Sequence, residues 1–274
     1  MASLSHRVFQ SRLFLRLYER HVHSRFLSGF AQEKTDYQSI HDRLRQLAAQ
    51  ATPSPSPAEA DRPDRRGTED GPPELPPVDV HPKDVPSQDG SPAGGRLLVD
   101  LGCGTGWFAR RLAQDPAHRG DRVLGLDRSA PAVEQARRLA QAAGPSSAAL
   151  DFAVADAKEL TRHLPGPAAE IWICGCLHQM DDPAAVLAQV AASLTADGLV
   201  LCQTFRENPA INARVDSQVL GKFGHRVFPR PEFDDLVAGA GLTVTAERQA
   251  GLVLLAVLSR AAVGPELPPD AVVG

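Results

Sequence analysis

The sequence predicts an α/β fold built on a doubly wound, mostly parallel sheet, and three observations carry that expectation. Short apolar runs end in an acid three times, at Asp100, Asp127 and Asp156. Segments of helical periodicity separate those runs, which is the rhythm of successive βαβ units. Glycines at 102, 104 and 106 stand where the first run passes directly into a helical pattern. We expect a Rossmann-like sheet of seven strands, all parallel except one near the edge, with helices on both faces.

Taken in chain order, residues 8–30 and 36–50 read as two helices with apolar and aromatic positions that include Phe9, Phe14, Tyr18 and Phe26. Residues 1–30 hold five arginines and one acid, which also fits a mitochondrial transit peptide. Arginine is used heavily along the whole chain, against four lysines, so its enrichment is not peculiar to the N-terminus. Both readings of this segment stay open. Residues 51–95 carry eleven prolines and no aromatic residue. Such a composition buries too little apolar area to offset the entropy of ordering, so this segment reads as a flexible linker.

The sheet domain then spans residues 96–260, followed by a tail at 261–274. Its first strand starts at Leu97 and leads through the glycine turn into a helix at 107–114. Strands follow at 121–127, 150–156 and 170–176, with a helix at 129–141 between the first two of these. An amphipathic helix at 183–194 is capped by the Asp181–Asp182 pair, and Gly198 marks the turn into a fifth strand at 199–205. Residues 206–226 form an irregular insertion of the length of a lid. A helix at 231–240 ends at Gly241, and strands at 242–248 and 251–259 lie at hairpin spacing. The last strand is an unbroken apolar run, the mark of burial on both faces.

Glycine lacks a Cβ and tolerates positive φ, so a backbone rich in it can approach a ligand closely. A dinucleotide turn has the spacing Gly-x-Gly-x-x-Gly. Here the spacing is Gly-x-Gly-x-Gly, with Trp107 and Phe108 standing where a pyrophosphate would need room. Asp100 precedes the turn, and no Lys or Arg lies inside it. This favours a cationic, phosphate-free nucleoside with Asp100 near its ammonium. Asp127 stands 21 residues after Gly106, the spacing at which an acid accepts from ribose hydroxyls. Its competing role is to cap the helix at 129–141. With Asp156, three carboxylates share one sheet edge, the edge where open α/β sheets bind ligands.

Val99-Asp-Leu-Gly-Cys-Gly-Thr-Gly106, Gly125-Leu-Asp127 and Val154-Ala-Asp156-Ala together resemble a class I S-adenosylmethionine-dependent methyltransferase. Segments 177–183, 192–201 and 228–242 extend the likeness, which has the flavour of quinone-biosynthesis and natural-product enzymes. The resemblance implies that backbone at Gly102, Gly104 and Gly106 holds the methionine part of S-adenosylmethionine, with Asp100 near its amino group. It further implies Asp127 on the ribose, Asp156 on the adenine amino group, the Ala157 N–H on the ring, and Cys174 on the sulfonium side. Cys103 in the turn and Arg128 after Asp127 complete the implied cofactor-binding set. N-terminal helices often cap cofactor and substrate in such enzymes, so residues 1–50 are expected to form a helical cap.

Two positions depart from the family pattern. Ala169 or Glu170 stands where the fourth strand usually opens with Asp, and His178-Gln179 replaces a frequent His-His pair; both changes are expected to touch the substrate side. Methyl transfer needs a base only when the acceptor must lose a proton. His178, directly after the fourth strand, is the candidate catalytic base, with fixing its loop by hydrogen bonds as the alternative. His225 is a weaker candidate. The implied function is methyl transfer to oxygen, nitrogen or carbon of a small-molecule acceptor. Some members of this fold instead keep the cofactor and catalyse cyclisation or another non-methylating reaction, and a non-catalytic partner of a methyltransferase is a third reading.

A formal net charge of −4 provides no basic footprint for nucleic acid, and no apolar run reaches the length of a membrane span. Cys103, Cys174, Cys176 and Cys202 fall in strands or in the glycine turn without zinc-ligand spacing. They read as reduced thiols in a cytoplasmic setting, with no metal site. Homodimerisation stays open.

Overall fold

The computed structural model describes residues 23–51, 95–209, 218, 220–222 and 224–261. The expected start of the first helix, nearly all of the proline-rich segment, part of the insertion and the tail beyond residue 261 lie outside the described residues.

Seven strands form one sheet: β1 (Leu97–Leu101), β2 (Arg122–Asp127), β3 (Ala149–Val154), β4 (Ala168–Cys174), β5 (Leu194–Phe205), β6 (Leu242–Ala250) and β7 (Val253–Arg260). Their spatial order is β3-β2-β1-β4-β5-β7-β6. Strand β7 runs antiparallel to both β5 and β6, and the other strand pairs are parallel. The mostly parallel sheet with one reversed strand beside an edge is therefore present. From β1 the chain winds outward first through β2 and β3, then through β4 on the other side. The crevice between the carboxyl ends of β1 and β4 is the topological switch point, where such sheets bind ligands.

Successive strand residues point to opposite faces, and β4 shows the result. Trp172 joins one core, with Phe108, Val133, Leu201 and Val257. Ile171 and Ile173 join the other, with Val186, Val190, Phe233 and Val237. The second core is covered by α6 (Pro183–Ser193) and α7 (Arg230–Gly239). The first is covered by α3 (Trp107–Gln114) and α4 (Ala130–Ala143) over its β1–β3 half. A short α5 (Leu160–His163) completes the crossover into β4.

The remaining half of the first face, over β5, β7 and β6, has no crossover helix, because β6 and β7 form a hairpin and α7 lies on the opposite face. Helix α2 (Tyr37–Ala51) fills that gap through Ile40, Leu44, Leu47 and Ala48, spaced three and four apart. Helix α1 (His23–Ala31) ends at the carboxyl edge, where the Leu252 N–H donates to the Phe30 carbonyl at 2.8 Å. Of the two N-terminal helices, the second is thus a layer of the sheet sandwich.

Strands β3 and β4 end two residues earlier than expected, and α5 was not expected; the start of β5 differs most. Strand β5 starts at Leu194, and Gly198 lies inside it. Ala168 pairs with Leu194 but Glu170 pairs with Leu199, so residues 195–198 bulge from the ladder and no separate turn is needed.

Candidate cofactor site

The glycine turn is built by hydrogen bonds to the next strand. Gly102 and Cys103 both donate their N–H to the Leu126 carbonyl, at 2.7 and 3.0 Å, and Gly106 donates to the Cys103 carbonyl at 2.7 Å. The Gly104 N–H donates to Asp127 Oδ2 at 2.8 Å. The N–H groups of Gly102, Cys103, Gly104 and Gly106 are therefore consumed within the protein. The carbonyls of Cys103, Thr105 and Gly106 are likewise taken up, by the N–H groups of Gly106 and Arg110 and by the Arg110 guanidinium, so the turn is closed on itself and the acceptors left beside it are the carboxyl groups of Asp100 and Asp127.

The three glycines do different work. A Cβ on Gly102 would stand 2.6 Å from Cys176 Sγ, and one on Gly106 would stand 2.5 Å from the Phe152 ring. Space beyond Gly104 is open. Close packing thus requires glycine at 102 and 106, and the expected bare backbone facing a ligand is confined to the stretch around Gly104.

Asp100 is 2% exposed, and its Oδ2 accepts the Ala109 N–H at 2.9 Å. Helix α3 starts after Gly106, which has no side chain to cap it, so a strand residue supplies the cap. Burial, together with the charge of Asp127, raises the Asp100 carboxyl to about 7. Burial also raises that of Asp127. Asp127 Oδ1 accepts the Ser129 N–H at 2.8 Å, while Ser129 itself caps α4 by accepting from Ala132. Asp127 is therefore not the helix cap. Its two oxygens hold one backbone N–H each, which leaves about half of its acceptor sites.

Asp156 is exposed at the same edge and accepts the Lys158 N–H at 2.9 Å, starting the short turn Ala157–Glu159. Arg128 reaches Asp181 at 3.8 Å across the crevice mouth. The Cys174 thiol donates to the Leu201 carbonyl at 3.9 Å, along the sheet. Cys176 is the thiol that closes on the turn, donating to the Leu101 carbonyl at 3.1 Å. Sequence reading did not single it out, because its approach to Gly102 depends on the β1–β4 pairing. All four cysteines are free. Burial pushes the thiols of Cys103, Cys174 and Cys176 well up, and that of Cys202 to about 12, so none is a ready nucleophile.

The structure brings the two candidate histidines together. His178 is buried, with Nδ1 3.3 Å from Thr204 Oγ1 and its ring 4.6 Å from that of Phe205. The His225 ring lies 5.0 Å from that of His178. The Arg226 N–H donates to the His178 carbonyl at 3.0 Å, tying the end of the insertion to the loop after β4. Burial lowers His225 to about 4, so its imidazole is neutral.

Glu170 requires a correction. It lies in the amino half of β4, away from the crevice, and accepts from Arg45 of α2 at 2.8 and 2.9 Å and from the Trp172 indole at 3.0 Å. Arg45 also donates to His118 Nε2 at 2.6 Å, and Nδ1 donates to Asp121 at 3.1 Å. The departure from the family pattern at this position belongs to the attachment of α2, not to the substrate side.

Arg206, at the end of β5, was not singled out from sequence either. It is 1% exposed, pairs with both Glu247 oxygens at 2.8 and 2.9 Å, and donates to Gln249 at 2.8 Å. These bonds pin the carboxyl end of β5 to β6. Among the described residues, no group of three His, Cys, Asp or Glu side chains could hold a metal ion, and no helix is long and apolar enough to cross a membrane.

Residues 98–198 match the methyltransferase domain family. A ubiquinone biosynthesis O-methyltransferase of Pseudomonas paraeruginosa is 30% identical over 159 residues, which covers 55% of this chain and 66% of that protein. An uncharacterized chloroplastic methyltransferase of Arabidopsis thaliana is 26% identical over 156 residues, covering 55% of this chain and 43% of that one. An O-methyltransferase family protein from Burkholderia thailandensis shares the fold, with a TM-score of 0.50 at 20% identity over 61% of this chain and 51% of its own. The chain spans less than two thirds of the length of these curated relatives.

Proposed function

We propose that this chain, which belongs to the class I S-adenosylmethionine-dependent methyltransferase family, methylates a hydroxyl of a small-molecule acceptor in quinone-like or natural-product biosynthesis. The observation that carries the cofactor half of this reading is the glycine turn whose N–H groups are spent internally. It leaves open space at Gly104 beside a buried carboxyl at Asp100 and spare acceptor sites on Asp127. Those groups fit an ammonium and a ribose diol, and they fit a pyrophosphate poorly. Val154, the large apolar side chain left 49% exposed among the described residues, pairs in register with Asp127. It offers apolar surface for a base beside the ribose acid, with Asp156 and Ala157 next in the chain.

When bound, S-adenosylmethionine supplies an already activated methyl group, so the protein's task is to orient the acceptor and exclude water. In this reading His178 takes the proton from the acceptor hydroxyl, held in orientation by Thr204. Oxygen is favoured over nitrogen or carbon because the relative from Pseudomonas is named as an O-methyltransferase and because a hydroxyl acceptor calls for a base.

Two measurements test the reading. Titration calorimetry with S-adenosylhomocysteine should detect one site per chain, and absence of binding to folded protein would sink it. Incubation with methyl-labelled cofactor and a panel of catechols and hydroquinones should move label into the organic phase. Altered acceptor without label would instead identify a non-methylating enzyme on this fold.

A further inference from the structure

Helix α2 carries Tyr37, His41 and Arg45 at four-residue spacing, so all three lie on one stripe, and each engages the same ladder of rings. Tyr37 stacks on Trp107 with centroids 5.3 Å apart and planes 20° apart, and it meets Phe108 edge-on at 5.5 Å. His41 stacks on Trp172 at 5.3 Å and 14°. The Arg45 guanidinium lies 5.8 Å over the Trp172 ring while it holds Glu170. Trp107 and Phe108 are the first two residues of α3, and the third is Ala109, whose N–H holds Asp100. The helix start has no cap of its own at Gly106. It is gripped by Tyr37 from outside and by Asp100 from within the sheet.

We propose that Tyr37 is a positioning residue for the cofactor site: its stack on Trp107 sets the start of α3 and, through Ala109, the orientation of the Asp100 carboxylate. The inference rests on the cofactor reading above. Docking of α2 and binding of the adenosyl cofactor then favour each other, because a ligand that fits the ordered turn binds less well when the turn must be ordered first. Such coupling is reciprocal: whatever α2 adds to affinity, the ligand adds to α2.

The test uses the full chain as wild type, Y37F and Y37A, titrated with S-adenosylhomocysteine by calorimetry. Both tryptophans of the chain, Trp107 and Trp172, stand in this ladder, so their emission reports its seating. Y37F should bind like wild type, since its ring keeps the stack. Y37A should bind about three- to tenfold more weakly, the range that one aromatic pair contributes, with red-shifted emission before ligand is added. Wild-type affinity in Y37A would overturn the proposal and leave the cofactor reading standing. Failure of the wild type to bind would overturn both. Should Y37A not fold, hydrogen exchange on the wild type decides. Ligand should slow exchange across residues 37–51, and unchanged exchange there would refute the coupling.

Discussion

The Asp100 carboxylate accepts the Ala109 N–H at 2.9 Å, so a residue of β1 caps the helix that follows it across the glycine turn. The cap and the expected contact to the ligand ammonium belong to one buried group with a raised carboxyl. Two consequences follow. Asp100 is protonated in much of the free protein near neutral pH, whereas a cationic ligand favours its charged form. Cofactor affinity should therefore rise with pH and level off above about 7, with a slope of at most about tenfold per pH unit below that point. In D100N the slope should be shallower, with Asp127 left as the other raised carboxyl at the site, and calorimetry at several pH values would show it.

The same carboxyl affects stability in the opposite sense to an ordinary ion-paired Asp. Its folded-state value lies above its unfolded one, so the folded state holds more protons between about 4 and 7. Asp100 thus stabilises the free protein most at low pH, and that contribution is lost as pH rises through the window. His225 acts the other way. Burial holds it near 4, below the ordinary histidine value, so stability falls as pH drops from about 6.5 toward 4. Thermal melts of H225Q should show a shallower acid limb than wild type, and an unchanged limb would contradict this.

Gly106 and Gly104 should separate folding from binding. Alanine at 106 meets the Phe152 ring at 2.5 Å in a backbone with φ of 77°, which predicts a loss of several kcal/mol or failure to fold. Alanine at 104 has open space but must adopt φ of 53°, at a cost of about 1 kcal/mol. G104A should melt within a few degrees of wild type yet bind S-adenosylhomocysteine at least tenfold more weakly, because its methyl enters the ligand's side of the turn. Equal binding by G104A would mean that the open face is not the one the ligand uses.

Arg206 is buried against the Glu247 carboxylate. The hydrogen bonds from Arg206 hold Glu247 below the ordinary range in spite of partial burial. R206M removes a buried guanidinium and leaves Glu247, whose side chain is 30% exposed and lies 3.4 Å from Arg230, so the loss should be about 1–3 kcal/mol. The double variant R206M/E247M should recover much of that loss. Chemical denaturation of the two single variants and the double gives the coupling directly, and strictly additive losses would contradict a specific pair.

Much of the fold at the candidate cofactor edge was legible in the chain because its signals are local. The apolar run, the acid and the glycines at 97–106 specify a strand, a turn and a helix within one βα unit. The spacing to Asp127 follows from the length of one crossover. Cys176 shows where that legibility stops: its closure on Gly102 needs the pairing of β1 with β4, strands separated by two intervening units. Glu170 was misjudged for the same reason, since its partner Arg45 lies 125 residues away.

By itself, then, the sequence determined the βα repeats, the turn at 102–106 and the acids that line one edge, because each depends on residues within a few positions or within one crossover. The tertiary structure alone decided that α2 closes an uncovered sheet face, that His178 meets His225, and that Arg206 and Glu247 pin β5 to β6. Those contacts join segments whose distance in space is set by strand order, and strand order arises from burying the whole sheet at once.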